Sequence, residues 1–266
     1  MRLIMGIATC VLMFLPVASQ ADGLFSLNST LYGREWDAVG RLEIAGEAFC
    51  TGALIAPDLV LTAAHCVFDP ETGERVATDE IQFLAGWRNG RAAAYRRVRR
   101  AEPHPEYDFR AASDAGRVRV DIALLELQHP IRNGTIQPFE TGSRPDTGAE
   151  VGVVSYAHDR ADAPSLQDLC EVISRQQGVL VMSCTVDFGS SGSPVFSFDG
   201  DAPQIVSVVS AKAEADGEAV SLGTSLAGPL SELRALIEMD TRQLTGTSLQ
   251  RPGVRNDATG AKFVRP

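Results

Sequence analysis

One stretch of the 266-residue sequence decides the fold, and it reads Leu61-Thr62-Ala63-Ala64-His65-Cys66. An apolar run leads into small residues, and a histidine then stands directly before a cysteine. Working outward, three further stretches matter: Cys50-Thr51-Gly52-Ala53-Leu54-Ile55, Asp121-Ile122-Ala123-Leu124-Leu125-Glu126-Leu127 and Gly189-Ser190-Ser191-Gly192-Ser193-Pro194-Val195. Together they supply a histidine, an acid and a serine, the residue types that a serine nucleophile and its base require.

Each stretch also has a simpler interpretation. The serine-glycine run is by itself an ordinary flexible loop, a lone histidine beside a cysteine is usually a packed residue, and an aspartate before a strand is usually a boundary charge. Because all of these stretches occur together and in this order along the chain, we favour a functional site. A Gly-x-Ser-x-Gly elbow fits less well, because Ser193 stands where its second glycine belongs and its order of serine, acid and histidine is reversed here.

In this order the stretches strongly resemble the signatures of the trypsin-like (chymotrypsin-fold) serine peptidases. The resemblance covers roughly residues 36 to 240, and His104-Pro105-Glu106-Tyr107 looks like another feature of the family. The form of the serine segment is most similar to the bacterial branch that contains the glutamyl endopeptidases. The resemblance implies an all-β fold of two packed six-stranded antiparallel β-barrels with a C-terminal helix, and an active site in the cleft between the barrels.

The resemblance also assigns roles to residues. It makes Ser191 the nucleophile, His65 its general base and Asp121 the acid that orients the histidine, with the amides of Gly189 and Ser191 as the oxyanion hole. A serine hydroxyl is a poor nucleophile at neutral pH, and a histidine, with an ordinary pKa near 6.5, can take its proton. We therefore predict an exported serine endopeptidase that acts on polypeptides. The alternatives are a catalytically silent binding module of the same fold and an esterase that uses the same triad.

Substrate preference is predicted from family positions. Thr185 stands where trypsin has the aspartate that selects basic residues, so cleavage after Arg or Lys is disfavoured. Ser207 is taken as the family serine near the triad aspartate, which puts Val206 in the place of the histidine of glutamyl endopeptidases and Val209 in the place of a trypsin glycine. We expect a small or medium uncharged residue before the cut bond, and Lys212 is a weaker candidate for an added positive charge.

Activation is predicted to differ from that of trypsin. Trypsin has an aspartate immediately before the nucleophile, which pairs with a freshly cut N-terminus, whereas this chain has Ser190 there. We therefore expect that the folded enzyme needs no buried new N-terminus, although residues 22–35 could still be a propeptide.

The first residues predict export. Met1 to Ala21 contain Arg2, an apolar run and a small-residue cleavage site before Asp22, as a secretory signal does, and Pro16 argues against a membrane anchor. No later segment is long and apolar enough to cross a membrane. The chain is therefore expected to be secreted or periplasmic and, after signal removal, monomeric and without an integral membrane segment.

Four cysteines remain after Cys10 leaves with the signal: Cys50, Cys66, Cys170 and Cys184. An even number in an exported chain indicates two disulfides, with three possible connectivities. Pairing neighbours closes loops of about 15 residues, worth roughly 3 kcal/mol each. A four-cysteine zinc site is disfavoured because the spacings are too wide.

Charge and composition exclude other classes. The chain has 24 Lys plus Arg against 34 Asp plus Glu, a net charge of -10, and only two of its cations are lysines. Such an acidic chain is not expected to bind nucleic acid. With 44% apolar residues it can bury a core. The charge divides into 18 basic and 33 acidic residues over 22–240 and a tail, 241–266, of +4.

Short apolar runs separated by turn residues predict strands rather than long helices. They occur at 38–44, 59–62, 81–84, 122–125, 150–155, 178–182, 194–197, 205–209 and 220–226. We place the barrels at about 36–130 and 145–227, a helix at 230–239 with Leu230, Leu233 and Leu236 at helical spacing, and a flexible basic tail at 241–266.

The remaining features have no assigned chemistry. Arg96-Arg97-Val98-Arg99-Arg100, with Arg88 and Arg91 before it, is either a docking patch or, as we favour, a solvated strand face. His129 and His158 are interpreted as surface residues. No phosphate-binding glycine loop and no metal motif is present, so neither a cofactor nor a metal is expected.

Overall fold

A computed structural model describes residues 23–29, 33–46, 48–215 and 217–247, with 240–247 described by backbone only. The predicted signal and the part of the predicted tail beyond Thr247 lie outside the described residues. Within the described part of the chain, no helix is both long enough and apolar enough to span a bilayer.

The N-terminal half forms a closed antiparallel barrel in the order β2-β3-β4-β7-β6-β5. Its strands are β2 (Val39–Ile44), β3 (Ala48–Ala56), β4 (Leu59–Thr62), β5 (Ile81–Ala85), β6 (Ala94–Pro103) and β7 (Ala123–Leu127). Fully buried leucines and Phe83 fill its interior, because each strand turns every second side chain inward. A short helix, α1 (Ala115–Val118), precedes β7 and is capped by Asp114, whose side chain accepts from the N–H groups of Gly116 and Arg117.

The C-terminal half closes a second six-stranded barrel through the additional pairing of β9 with β8. Its strands are β8 (Glu150–Ser155), β9 (Ser165–Gln176), β10 (Val179–Met182), β11 (Pro194–Ser197), β12 (Gln204–Ala215) and β13 (Glu218–Ser225). The predicted fold class, two six-stranded antiparallel barrels with a C-terminal helix, is confirmed.

The predicted N-terminal extension is part of the second barrel sheet. Residues Leu24–Ser26 form β1, which pairs antiparallel with β9. The N–H of Leu27 also donates to the carbonyl of Pro164 at 2.9 Å. A cleavage that removed residues 22–35 would break these contacts.

An aromatic cluster joins the two barrels. The rings of Trp36, Phe139 and Phe196 meet pairwise, with centroids 4.7–5.8 Å apart. Trp36 and Phe196 are buried, so the barrels share one apolar core at this contact. Rings at this separation stabilise the fold beyond the effect of their buried area, so the cluster helps to hold the two barrels together.

The C-terminal helix is longer than expected. It runs as α2 (Pro229–Thr247), so the predicted boundary at 239 is wrong and residues 241–247 are helical rather than part of a flexible tail. Leu230 and Leu233 are buried against the core, as their spacing predicts. Beyond residue 239 the helix continues through its own backbone hydrogen bonds.

The basic run lies on β6, and two of its arginines form ion pairs with nearby acidic residues. Arg99 pairs with Glu126, and Arg100 pairs with Glu102 at 2.9 Å. Arg88 does not belong to this surface, because its side chain is only 6% exposed and its guanidinium pairs with Asp37. The sequence interpretation that grouped Arg88 with the surface cluster is therefore wrong.

Candidate active site

The histidine is placed by the turn that follows β4. His65 lies in a single 3-10 turn, Ala64–Val67, between the end of β4 and the disulfide that joins Cys66 to Cys50. Its neighbours Ala64 and Cys66 are buried, while its own side chain is 25% exposed. The disulfide therefore holds one edge of the histidine turn against β3.

The aspartate is buried directly behind this histidine. Asp121 Oδ2 lies 2.7 Å from His65 Nδ1, and its Oδ1 accepts from the His65 N–H at 2.9 Å. The hydroxyl of Ser210 donates to Oδ2 at 2.5 Å. Burial opposes ionisation of the carboxyl, yet the attraction of the His65 ring and these hydrogen bonds outweigh it and hold the pKa of Asp121 below its ordinary value.

This contact corrects one sequence assignment. The serine beside the aspartate is Ser210, whereas the hydroxyl of Ser207 donates to the carbonyl of Thr224 at 2.8 Å. The register of β12 against β13 shifts between Val209 and Ala211, so the face presented by each residue could not be counted from the motif. Counted from Ser210 instead of Ser207, the two positions that the resemblance assigned move from Val206 to Val209 and from Val209 to Lys212.

The predicted nucleophile lies on a tight loop before β11. Gly189 has φ of +93° and Gly192 has φ of +77°, values that favour glycine. Space requires glycine as well: a Cβ on Gly189 would lie 2.3 Å from the Phe49 ring, and one on Gly192 would lie 2.1 Å from the hydroxyl of Thr62. Both positions of the loop therefore require glycine.

Hydrogen bonds fix the direction of two carbonyls of this loop. The carbonyl of Phe188 accepts from the N–H of His158 at 2.7 Å, and that of Ser190 accepts from the N–H of Ser193 at 3.1 Å. Since the N–H and C=O of a trans peptide point in opposite directions, these contacts turn the N–H groups of Gly189 and Ser191 the other way. Neither N–H has an acceptor within the described part of the chain.

Thr51 connects the first barrel to this loop and was missed as a site residue, although it stands in the quoted cysteine motif. It is fully buried. Its N–H donates to the carbonyl of Ser191 at 2.8 Å and its hydroxyl to that of Gly189 at 2.9 Å. The same hydroxyl accepts from the N–H of Tyr156 at 3.1 Å. The sequence shows only a hydroxyl residue directly after Cys50, which does not indicate its distant partners.

A cleft of ≈ 790 Å³ lies between the barrels. His65, Asp121, Gly189, Ser191 and Ser210 all contribute to its walls, so the predicted triad and oxyanion-hole residues are brought together. Among the residues that the structure describes, the Ser191 hydroxyl makes no hydrogen bond to the His65 ring. Such contacts are often long in unliganded enzymes and shorten only when substrate binds.

His158 and Tyr107 also line the cleft. His158 is exposed, as predicted, but its backbone holds the loop carbonyl described above, a role that the sequence did not indicate. Tyr107 is buried, and its hydroxyl has no partner among the described residues. Burial, with the nearby charge of Asp121, raises the pKa of Tyr107, so its phenol stays protonated.

A smaller cavity of ≈ 220 Å³ opens beside Ser191. Its walls include Val186, Val209, Asp187 and Lys212, and the last two pair at 3.8 Å. Val209, which was predicted to bind the substrate, thus lines this cavity. Thr185 is not one of the lining residues; it is exposed, and its N–H donates to the side chain of Gln167 at 2.9 Å.

Two departures from the family pattern are buried. Ser190, which carries no carboxylate and stands directly before Ser191, is fully buried, and its hydroxyl accepts from the N–H of Asp187 at 3.4 Å. Ser193 is also fully buried, and its hydroxyl has no partner among the described residues.

The cysteines do not form a metal centre in this arrangement. Cys50, His65 and Cys66 bring three potential ligand atoms within 4.8 Å of one another. Both sulfurs, however, are joined to each other in a disulfide and so are not thiolates. The second disulfide joins Cys170 to Cys184, which confirms the pairing of neighbours.

Two closed antiparallel barrels with a histidine, a buried aspartate and a serine in the cleft between them define the chymotrypsin-fold class of proteins. The family described as Trypsin matches residues 28–227, and the chain belongs to that family.

Individual relatives are distant. Glutamyl endopeptidase of Bacillus licheniformis is 28% identical over 149 residues, which cover 55% of this chain and 45% of that protein. Serine protease 56 of Mus musculus is 30% identical over 157 residues, covering 58% of this chain and 24% of that protein. The chain therefore spans less than half the length of these curated relatives.

Solved structures show the same fold. A Glu endopeptidase in complex with MPD matches with a TM-score of 0.68 at 19% identity, covering 84% of this chain and 100% of that one. A thermostable serine protease, AL20, from an extremophilic microorganism matches with a TM-score of 0.61 at 15% identity, covering 75% of this chain and 96% of that one.

Proposed function

We propose that this chain is an exported serine endopeptidase that hydrolyses peptide bonds through Ser191, His65 and Asp121. The observation that carries the proposal is the His65 ring, held at Nδ1 by the buried Asp121 carboxylate at 2.7 Å, in the same cleft as Ser191. An ionised carboxylate only accepts hydrogen bonds, so Nδ1 carries the hydrogen and Nε2 keeps a free lone pair. The ring is thereby in the tautomer that a general base requires.

The proposed chemistry proceeds in two steps. Ser191 Oγ attacks the substrate carbonyl carbon and its proton passes to His65 Nε2, while the amides of Gly189 and Ser191 stabilise the oxyanion. His65 then gives the proton to the departing amine as the C–N bond breaks, which leaves an acyl ester on Ser191. Water, deprotonated by His65, hydrolyses this ester and restores the enzyme.

A fluorophosphonate probe tests this function, because it reacts only with an activated serine. We expect wild-type protein with intact disulfides to be labelled and Ser191→Ala to be unlabelled. Absence of labelling in the wild type would favour the alternative, a silent binding module of the same fold. Turnover of esters without cleavage of any peptide would instead favour an esterase.

The cavity beside Ser191 supports a preference for a small or medium uncharged residue before the cut bond. Val186 and Val209 give this cavity apolar walls. The charges of Lys212 and Asp187, which also line the cavity, offset each other in an ion pair. A charged substrate side chain would lose hydration there without gaining a buried counter-charge. A peptide-library digest with the cut sites determined by mass spectrometry tests the preference, and predominant cleavage after Arg, Lys or Glu would contradict it.

Export is part of the proposal. The apolar run that follows Arg2 supports a cleaved signal, and two disulfides are typical of proteins that leave the cytosol. N-terminal sequencing of the protein recovered outside the cytosol should begin at Asp22. A product that retains Met1 and sediments with the membrane would support an uncleaved anchor instead.

We also propose that activity requires no newly cut N-terminus. Ser190 supplies no carboxylate for one, and β1 is built into the sheet ahead of residue 36. Protein that starts at Asp22 should therefore turn over substrate, and protein truncated to Trp36 should lose stability. Activity confined to the truncated form would refute the proposal.

A further inference from the structure

We propose that Thr51 is a positioning residue for the oxyanion hole: it holds the carbonyls of Gly189 and Ser191 so that the amides of the loop face the cleft. The inference rests on the proposed function, because an oxyanion hole matters only if Ser191 is acylated. Thr51 touches neither substrate nor reacting atoms and acts through the loop.

The contacts of Thr51 reach both sides of the barrel interface. From β3 of the first barrel, its N–H donates to the carbonyl of Ser191 at 2.8 Å and its hydroxyl to that of Gly189 at 2.9 Å. The hydroxyl also accepts from Tyr156, which follows β8 of the second barrel, at 3.1 Å. In addition, the Thr51 carbonyl accepts from the hydroxyl of Thr62 at 2.8 Å. Because Thr51 is fully buried, water cannot replace these partners.

The orientation of the Gly189–Ser190 peptide affects both proposed oxyanion donors, the N–H groups of Gly189 and Ser191. The Gly189–Ser190 peptide lies between the peptide that carries the Gly189 N–H and the one that carries the Ser191 N–H. Its carbonyl is held by the Thr51 hydroxyl, and its N–H donates to the carbonyl of Asp187 at 2.9 Å. A rotation of this central peptide would turn the donor peptides on both sides.

The flexibility of Gly189 makes a contact that fixes this central peptide necessary. Gly189 has φ of +93°, and a residue without Cβ can leave that conformation at little steric cost. The Phe49 ring lies against the Gly189 Cα and blocks one direction of movement. The Thr51 hydroxyl supplies the directional contact that a ring cannot supply, since a hydrogen bond weakens steeply when its angle departs from linear.

Substitutions that separate the hydroxyl from the shape of the side chain test the role. Thr51→Val keeps the shape and removes the hydroxyl, whereas Thr51→Ser keeps the hydroxyl. Ser207→Ala is the matched control, because it also removes a fully buried hydroxyl that donates to a carbonyl, at 2.8 Å from Thr224 O, but away from the loop. All variants are compared after active-site titration, so that kcat refers to folded enzyme.

We expect Thr51→Val to lower kcat about 10- to 100-fold with KM changed by less than about threefold, because the loop acts on the transition state rather than on ground-state binding. Its affinity for a peptidyl boronate, whose oxygen occupies the oxyanion position, should fall by the same factor as kcat/KM. Thr51→Ser should keep kcat within about threefold of the wild type. Ser207→Ala should lower Tm while leaving kcat unchanged.

Three results would overturn the inference. One is a Thr51→Val protein with a lower Tm but wild-type kcat, which would make the contacts merely structural. Another is an equal loss of kcat in Ser207→Ala. If Thr51→Val does not fold, a Thr51→Ser protein that folds with wild-type Tm and loses kcat would also refute the role. A wild-type chain that no fluorophosphonate labels would instead refute the proposed function itself.

Discussion

Replacing Arg88 by methionine removes the centre of a buried polar cluster. The guanidinium of Arg88 donates from Nε to the carbonyl of Leu27 at 2.7 Å and from Nη2 to that of Gly33 at 2.5 Å. Its Nη1 donates to the carboxylate of Asp37 at 2.5 Å and to the carbonyl of Gly86 at 3.1 Å. One side chain thus ties the segment before β2 to the end of β5.

The expected loss of stability follows from the burial of this cluster. The side chains of Arg88 and Asp37 are 6% and 12% exposed, so Arg88→Met leaves a nearly buried carboxylate without its partner. Removing one member of a buried pair costs about 3–5 kcal/mol. For a folded chain of this size each kcal/mol corresponds to about 2–4 °C, so Tm should fall by about 6–20 °C.

Arg91→Met is the matched control. The side chain of Arg91 is exposed, and its backbone is hydrogen-bonded to that of Arg88 across the same turn. An exposed substitution typically changes stability by less than about 0.5 kcal/mol, so its Tm should stay within about 2 °C of the wild type. Calorimetry at neutral pH without reductant measures both variants. The difference should persist in about 1 M salt, because buried pairs are weakly screened.

A double substitution separates the charge from the rest of the cluster. Arg88→Met combined with Asp37→Leu leaves no buried charge, so it should be more stable than the sum of the single losses predicts. The three carbonyls would still lack donors, which keeps the double variant below the wild type. A Tm for Arg88→Met within the range of Arg91→Met would refute the reasoning that these contacts act together.

Three further predictions concern the active site. Ser210→Ala removes a hydrogen bond that helps hold the pKa of Asp121 low, so kcat/KM should fall about tenfold, as for a bond of about 1.5 kcal/mol to a charged group. The contribution of the ionised carboxylate to stability is present above its ordinary pKa and is lost as pH falls through the lowered one. Because the pKa of Asp121 is lowered less in the variant, its Tm should be lower at neutral pH and should fall less on acidification, and an unchanged Tm–pH curve would contradict this. Gly192→Ala places a Cβ 2.1 Å from a threonine hydroxyl at φ of +77°, so fluorophosphonate labelling should be lost, and labelling at the wild-type rate would show that the loop can yield. Lys212→Ala should leave Tm unchanged, since exposed pairs contribute little, but should raise kcat/KM for Arg over Ala before the cut bond by freeing Asp187, and matched peptides that differ at this residue measure the ratio.

Much of the fold could be predicted because apolar runs and turn residues mark most of its strands. The runs at 38–44, 59–62 and 81–84 became β2, β4 and β5. The strand β9 escaped prediction, since Ser165–Gln176 is largely polar and its registers with β8 and β10 both shift, which interrupts the period of two. The end of α2 escaped as well, because no apolar stripe continues past Met239 although no proline stops the helix before Pro252.

The residues of the candidate site likewise divide into those that the sequence indicated and those that it did not. Short motifs indicated His65, Asp121, Ser191 and Gly189, because the chemistry constrains residue type and close neighbours. Ser210 and Thr51 depended on distant parts of the chain. Their hydroxyls meet acceptors 89 and 138 residues away in sequence, and no local pattern states that distance.

By itself the sequence determined which residues could do chemistry, that four cysteines can form two disulfides, and a chain of short strands. Only the tertiary structure decided which serine meets Asp121, because a register shift within β12 sets the face on which each side chain lies. The structure also showed that Arg88, which the sequence suggested to be a surface residue, is buried. Both outcomes arise where two strands or segments far apart in sequence come into contact, and side-chain direction there depends on packing that neither segment specifies alone.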